Sequence, residues 1–139
     1  MFSVMVGAIL SVVGMAVDEG LKKTGLDNFP EWSAIYRGEV EADLVIAGSS
    51  RAWVNVSPLV LDTALKLNTF NMGLDGHHFH AQNVRYQFYR RYNKQPKYII
   101  HCMDLYMLTH DRDLYMPKQY APYLCDSIIR AGMMGYRGY

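Results

Sequence analysis

The chain has 139 residues, of which 50% are hydrophobic and 19% charged, with a formal net charge of +1. That is enough material for one domain with a core, and too apolar for a disordered segment. The near-neutral balance, without a Lys/Arg cluster, excludes an electrostatic nucleic-acid surface. Residues 1–17 carry no charge and end at Asp18 and Glu19. A run of that length lies at the lower edge of what crosses a bilayer as a helix. No Lys or Arg precedes it, which argues against a secretory signal with its basic leading region. A hydrophobic helix over 1–23, anchoring the chain in a membrane through residues 1–17, is the expectation. An amphipathic or buried helix is the alternative. Lys22 and Lys23 follow the run, and the positive-inside rule would place them in the cytoplasm.

Gly25, Asp27, Asn28 and Pro30 are turn chemistry, so 24–42 reads as a linker and a short helix over 31–40. Trp32, Ile35 and Tyr36 share one face of that helix. Leu44 to Ala47 is an apolar strand running into Gly48-Ser49-Ser50-Arg51. Open α/β sheets gather ligands at the carboxyl ends of their strands. A serine there can act as a nucleophile when a neighbouring base takes its proton. Ser57 and Pro58 are an N-cap and a first helical residue. The helix they open is expected to bury Leu59, Val60, Leu61, Ala64, Leu65 and Leu67. A strand over 68–72, a loop over 73–76 and a helix over 79–92 follow. In that helix Tyr86, Phe88, Tyr89 and Tyr92 accompany Arg85, Arg90 and Arg91, and one face is expected to pack on the sheet. A third strand over 97–103 leads to Asp104, then come a loop over 109–117 and a last helix over 118–130. No element is expected in 131–139. The alternation predicts a parallel sheet with right-handed crossovers and strands covered on both faces. Three strands fall short of the usual five or so. The domain over 43–139 is therefore expected to be incomplete, with an open edge beyond the third strand.

Three strand ends converge in such a sheet: Gly48 to Arg51, Asn71 to Gly76, and Met103-Asp104. Arg51 and Asp104 are expected neighbours, the arginine clamping the carboxylate, with Asp75 as a competing partner. His77, His78 and His80 follow Gly76, and His77 or His78 could serve Ser50 as a base if the second loop folds over the first. Three histidines in four residues also raise a metal, but no carboxylate or cysteine spacing completes a site, so no metal and no cofactor are expected. His101 is expected to pack against a helix and His110 to be solvated. Cys102 and Cys125 show neither a metal spacing nor a disulfide framework and read as unpaired thiols.

In these blocks the chain resembles the SGNH (GDSL-like) hydrolase superfamily, in the bacterial envelope-associated branch whose first block reads Gly-Ser-Ser-Arg. The resemblance covers residues 43–110. It implies a three-layer α/β/α, flavodoxin-like domain with Ser50 as nucleophile. The Gly76 and Ser50 N–H groups would form the oxyanion hole, supported by Arg51, Asn71 and Asp104. The implied reaction is ester hydrolysis or acyl transfer on an ester-bearing small molecule or polysaccharide of the cell envelope. The implied location is a membrane-anchored domain outside the cytoplasm, opposite to the side Lys22 and Lys23 suggest. Ser49 stands where many members carry aspartate. The third block reads His101-Cys-Met-Asp104 in place of Gly-x-Asn-Asp. The chain is read as holding no Asp-x-x-His to supply the family's base, the nearest thing being the cluster over 110–113. The residues leave two other readings open. One is a non-catalytic envelope or interaction domain on the same scaffold, or a truncated remnant of it. The other is an anion-binding domain using the Gly48–Arg51 turn as a cradle.

Overall fold

The computed structural model describes residues 2–109 and 112–137. His110, expected in solvent, lies outside the described residues. In chain order the elements are α1 (Phe2–Lys23), α2 (Phe29–Tyr36), β1 (Leu44–Ala47), α3 (Ser50–Asn55) and α4 (Pro58–Leu65), then β2 (Thr69–Asn71), α5 (Phe79–Tyr92) and β3 (Tyr98–His101). Two 3-10 turns at Pro117–Gln119 and Ala121–Tyr123 precede α6 (Ser127–Met133). The strands form a parallel sheet in the order β2-β1-β3. Val45 stands opposite Phe70 on one side and Ile99 on the other. The molecule is thus mixed α/β, with a short parallel sheet and an apolar N-terminal helix.

The core lies where α2, α5, α6 and the 3-10 turns pack together against the sheet. Trp32, Phe88, Tyr89, Tyr120, Tyr123, Ile129 and Met133 are all buried there. The Trp32 ring meets Tyr120 edge-on at 5.3 Å and Phe88 at 5.7 Å. Its indole N–H donates to Gln119 Oε1 at 3.0 Å, so the polar end of the ring is satisfied inside the core. Burial of each such side chain contributes about 1.5–3 kcal/mol. This cluster takes up Tyr89, Tyr120, Tyr123 and Tyr136 but only Met72 and Met133 among the methionines. Asn93, just past α5, ties α2 to it, donating to Ile35 O at 2.8 Å and accepting from Val40 N at 3.0 Å.

Four expectations are corrected. α4 forms where Ser57-Pro58 predicts it, yet buries none of its residues, and Leu59, Val60 and Leu65 face solvent. The strands are not uniformly covered: every residue of β1 is buried and none of β3 is. Side chains of a strand are covered by what packs on its faces, and among the described residues 98–100 of β3 and the outer side of α4 meet no such layer. The helix expected over 118–130 is broken, because Pro122 suits a 3-10 turn and Asp126 starts a new helix by accepting from Ile128 N at 2.7 Å. The tail is not without structure, since α6 runs to Met133 and the backbone of Arg137 forms a parallel β-bridge with Asp113, its N–H donating to Arg112 O at 2.8 Å. In addition, α2 begins two residues before Glu31 and places Pro30 in its first turn, where a missing N–H costs nothing.

α1 has 22 residues, a mean hydropathy of 1.8 over its most apolar window, and no buried residue. At 1.5 Å per residue it is about 33 Å long. It is long and apolar enough to cross a membrane or to be a signal sequence.

Candidate functional site at the strand ends

β1 stops at Ala47 because Gly48 turns the chain. Gly48 has φ +152°, and a Cβ there would lie 2.7 Å from Ala52 Cβ and 3.0 Å from Cys102 O. Only glycine fits that bend. Ser49 then caps α3, its hydroxyl oxygen accepting from Arg51 N at 3.3 Å. The same hydroxyl donates to Asp104 Oδ2. Arg51 reaches the other oxygen, Oδ1, at 3.1 Å. The carboxylate is buried while Arg51 is 74% exposed, so the guanidinium lies over Asp104 like a cover. The expected Arg51–Asp104 pair is therefore present.

The second block is pinned onto this turn. Asn71, at the end of β2, donates from Nδ2 to Ala52 O and Val56 O, both at 2.8 Å, and accepts from Gly73 N at 2.9 Å. It thereby gives the Val56 carbonyl, past the end of α3, a donor, and adds a second donor to Ala52 O, which also accepts from Val56 N at 3.3 Å. Leu74 N donates to Gly48 O at 2.9 Å. Gly73 passes so close to α3 that a Cβ there would lie 2.5 Å from Trp53 N. Three residues on, Gly76 adopts φ +65° beneath the Tyr115 ring. Among the described residues, neither the Gly76 N–H nor the Ser50 hydroxyl makes a hydrogen bond. The Ser50 N–H, first in α3, has no helical acceptor. Ser50 is half-buried.

The histidines turn elsewhere. His77 is buried, edge-on to Tyr115 and Tyr120, with Nδ1 on the Asp75 carbonyl and Nε2 3.4 Å from Gln119 Nε2. Loss of water around it pushes its pKa below the usual histidine value. His78 contacts Thr109 O at 2.9 Å, and His80 contacts Gly132 O at 2.9 Å. His101 stacks on Phe79 at 5.6 Å and meets Gln82 Oε1 at 3.2 Å, as a helix-packing histidine should. The expectation of no Asp-x-x-His is corrected: Asp75-Gly-His77-His78 has that spacing, but it lies in the second block and its histidines engage the partners above. No imidazole of the described residues hydrogen-bonds Ser50.

Arg85 is the residue that sequence reasoning missed. It is fully buried, 4.7 Å over the Trp32 ring, and donates from NH1 to Gly73 O at 3.1 Å. Its Nε and NH2 have no partner. Desolvation lowers its pKa to about 10, with Glu31 opposing. Arg85 holds the second loop from beneath. The signal was there: Ala81, Val84, Arg85 and Phe88 form one helical stripe, and three of the four are apolar. Beside the site a cavity of about 260 Å³ opens between α5 and β3, walled by Ala47, Phe79, Gln82, Tyr86, Ile99 and His101.

No protein-family model matches the chain, and no curated protein or solved structure is significantly similar to it.

Proposed function

We propose that this chain is the membrane-anchored domain of an SGNH-type serine ester hydrolase or acyltransferase, with Ser50 as the nucleophile and an envelope ester as substrate. The observation that carries the reading is the contrast between two adjacent serines. Ser49 spends its hydroxyl on Asp104 and on the cap of α3, whereas Ser50 keeps its hydroxyl and its N–H uncommitted at the same strand end. The strand order β2-β1-β3 supports the fold assignment, because it begins the doubly wound order 2-1-3-4-5, whose ligand crevice lies at the carboxyl ends where the order reverses. Here those ends carry Gly48–Arg51 and Asp104.

In this reading Ser50 Oγ attacks the ester carbonyl and passes its proton to a base. The carbonyl oxygen gains negative charge and is held by the Ser50 and Gly76 N–H groups. Each such donor is worth about 3 kcal/mol of barrier. The alcohol leaves with a proton, and water or an acceptor hydroxyl then takes the acyl group from Ser50. The base comes from outside the described residues, from another segment or a second polypeptide. α1 anchors the domain, which faces the outside of the cell.

The test uses a fluorophosphonate probe on membranes carrying the whole chain, with the modified peptide mapped by mass spectrometry. Labelling at Ser50 that disappears in Ser50→Ala is the expected result. A folded chain that stays unlabelled, both in those membranes and purified, overturns the reading. That outcome supports the second one, a non-catalytic envelope domain that binds a partner or small ligand. The engagement of His77, His78, His80 and His101 away from Ser50 favours it.

A further inference from the structure

The apolar helix and the candidate site lie at opposite ends of the sheet. α5 runs from Phe79, beside the carboxyl ends of the strands, to Tyr92 at their amino ends, a rise of about 20 Å over its 14 residues. α2 runs the same way. Near its start Trp32 reaches Gln119, which contacts His77, and at its end Tyr36 packs on Tyr92 at 5.3 Å. α1 returns alongside α2 in the opposite sense. The Ser33 hydroxyl donates to Lys22 O at 2.6 Å, Lys22 Nζ lies 5.1 Å over the Tyr36 ring, and Glu19 lines a small cavity with Tyr36 and Arg37. Residues before Asp18 are exposed and therefore leave the domain past Tyr36 and Arg37.

We infer that the amino-end face of the sheet, around Tyr36, Arg37, Glu41 and Lys94, is the surface turned toward a phospholipid bilayer, and that the Ser50 site opens away from it into the aqueous phase. The occupant of this face is the membrane that α1 enters. The junction is a packed joint rather than a loose tether. Ser33 stands at its centre, donating to α1 and accepting from Tyr123 OH at 2.8 Å, and Lys118 pairs with Asp27 of the connecting loop at 2.8 Å. The substrate of the proposed reaction is then a molecule displayed in water about 20 Å from the lipid surface, such as a polysaccharide ester, and not an acyl chain within the bilayer. The inference rests on α1 spanning the membrane and holds whether or not Ser50 reacts.

The experiment places the full chain in phosphatidylcholine vesicles, with Cys102→Ala and Cys125→Ser removing the native thiols. Single cysteines at exposed positions carry an environment-sensitive fluorophore: Glu41→Cys and Lys94→Cys at the lower face, Met103→Cys and Leu105→Cys beside the site. Lipids bearing a nitroxide on the headgroup are then added to the bilayer. Labels at 41 and 94 should lose most of their emission, and labels at 103 and 105 should keep theirs. Equal quenching at both ends, or quenching at 103 and 105 alone, overturns the orientation. A chain that fails to float with the vesicles overturns the orientation and the anchor together. None of these outcomes reads ester chemistry, so the Ser50 reading stands or falls separately by its probe.

Discussion

The Ser49 hydroxyl donates to the Asp104 carboxylate, joining the end of β1 to the chain just past β3 across 55 residues of sequence. The bond lies in the interior and its acceptor is charged, which makes it one of the stronger kinds. It also decides which serine is structural, since the hydroxyl that caps α3 and holds Asp104 is not available for chemistry.

Ser49→Ala should therefore lower stability by about 2 kcal/mol, combining a lost helix cap with a buried carboxylate deprived of a donor. Ser50→Ala, which breaks no hydrogen bond, should change it by less than about 0.5 kcal/mol. Urea unfolding of both variants checks the contrast. Equal effects would show that the two hydroxyls share the structural role.

Arg51 sits mostly in solvent although its partner does not. Arg51→Ala should cost under about 1 kcal/mol at low ionic strength. The difference from the parent should shrink as salt is raised, because screening shortens the reach of an exposed charge from about 10 Å at 0.1 M to about 3 Å at 1 M. The same unfolding curves, recorded at both salt concentrations, measure it.

The interior histidines set an acid limit. Desolvation lowers the pKa of His77, and that of half-buried His101, below the ordinary value near 6.5 that applies in the unfolded chain. Above that value both states are neutral and stability is flat. As pH falls below it, the unfolded chain takes up the protons first, so stability is lost toward the lower folded-state values. His77→Gln, which can still donate to the Asp75 carbonyl, should flatten the decline that begins as pH falls below about 6.5. Thermal unfolding across that range tests it, and an unchanged slope would remove His77 as a source.

Gly73→Ala should destabilise the fold by about 2 kcal/mol or more, since the new Cβ would press into the Trp53 backbone, which has no side-chain freedom to yield. Gly25→Ala, with open space around it, is the matched control and should be near neutral. Circular dichroism melts compare the two.

Much of the local structure was legible because each element carries its own signals. Leu44 to Ala47 reads as a strand because it is apolar throughout, and α5 reads as a helix over 79–92 because its apolar stripe recurs at helical spacing. Pro58 and Asn93 mark boundaries through backbone chemistry alone. α3 was harder to see: it is a six-residue helix, too short for a periodic pattern, and its cap comes from Ser49 and a donor to Ala52 O and Val56 O from the distant Asn71. The burial of α4 is not legible in the sequence for a related reason. Its leucines report that a face is apolar, and not whether another layer lies against it.

The same division runs through the site. The residue types at the strand ends and the uncharged run of α1 are properties of order along the chain, and the sequence alone determined them; that Arg51 pairs with Asp104 rather than Asp75 was settled by the fold. Which serine is spent, where the imidazoles turn, that Arg85 is sealed under the second loop, and which end of the sheet α1 leaves from were decided only by the tertiary structure. Each depends on groups far apart in sequence competing for the same donor, acceptor or space, and that competition is resolved only when the chain has folded.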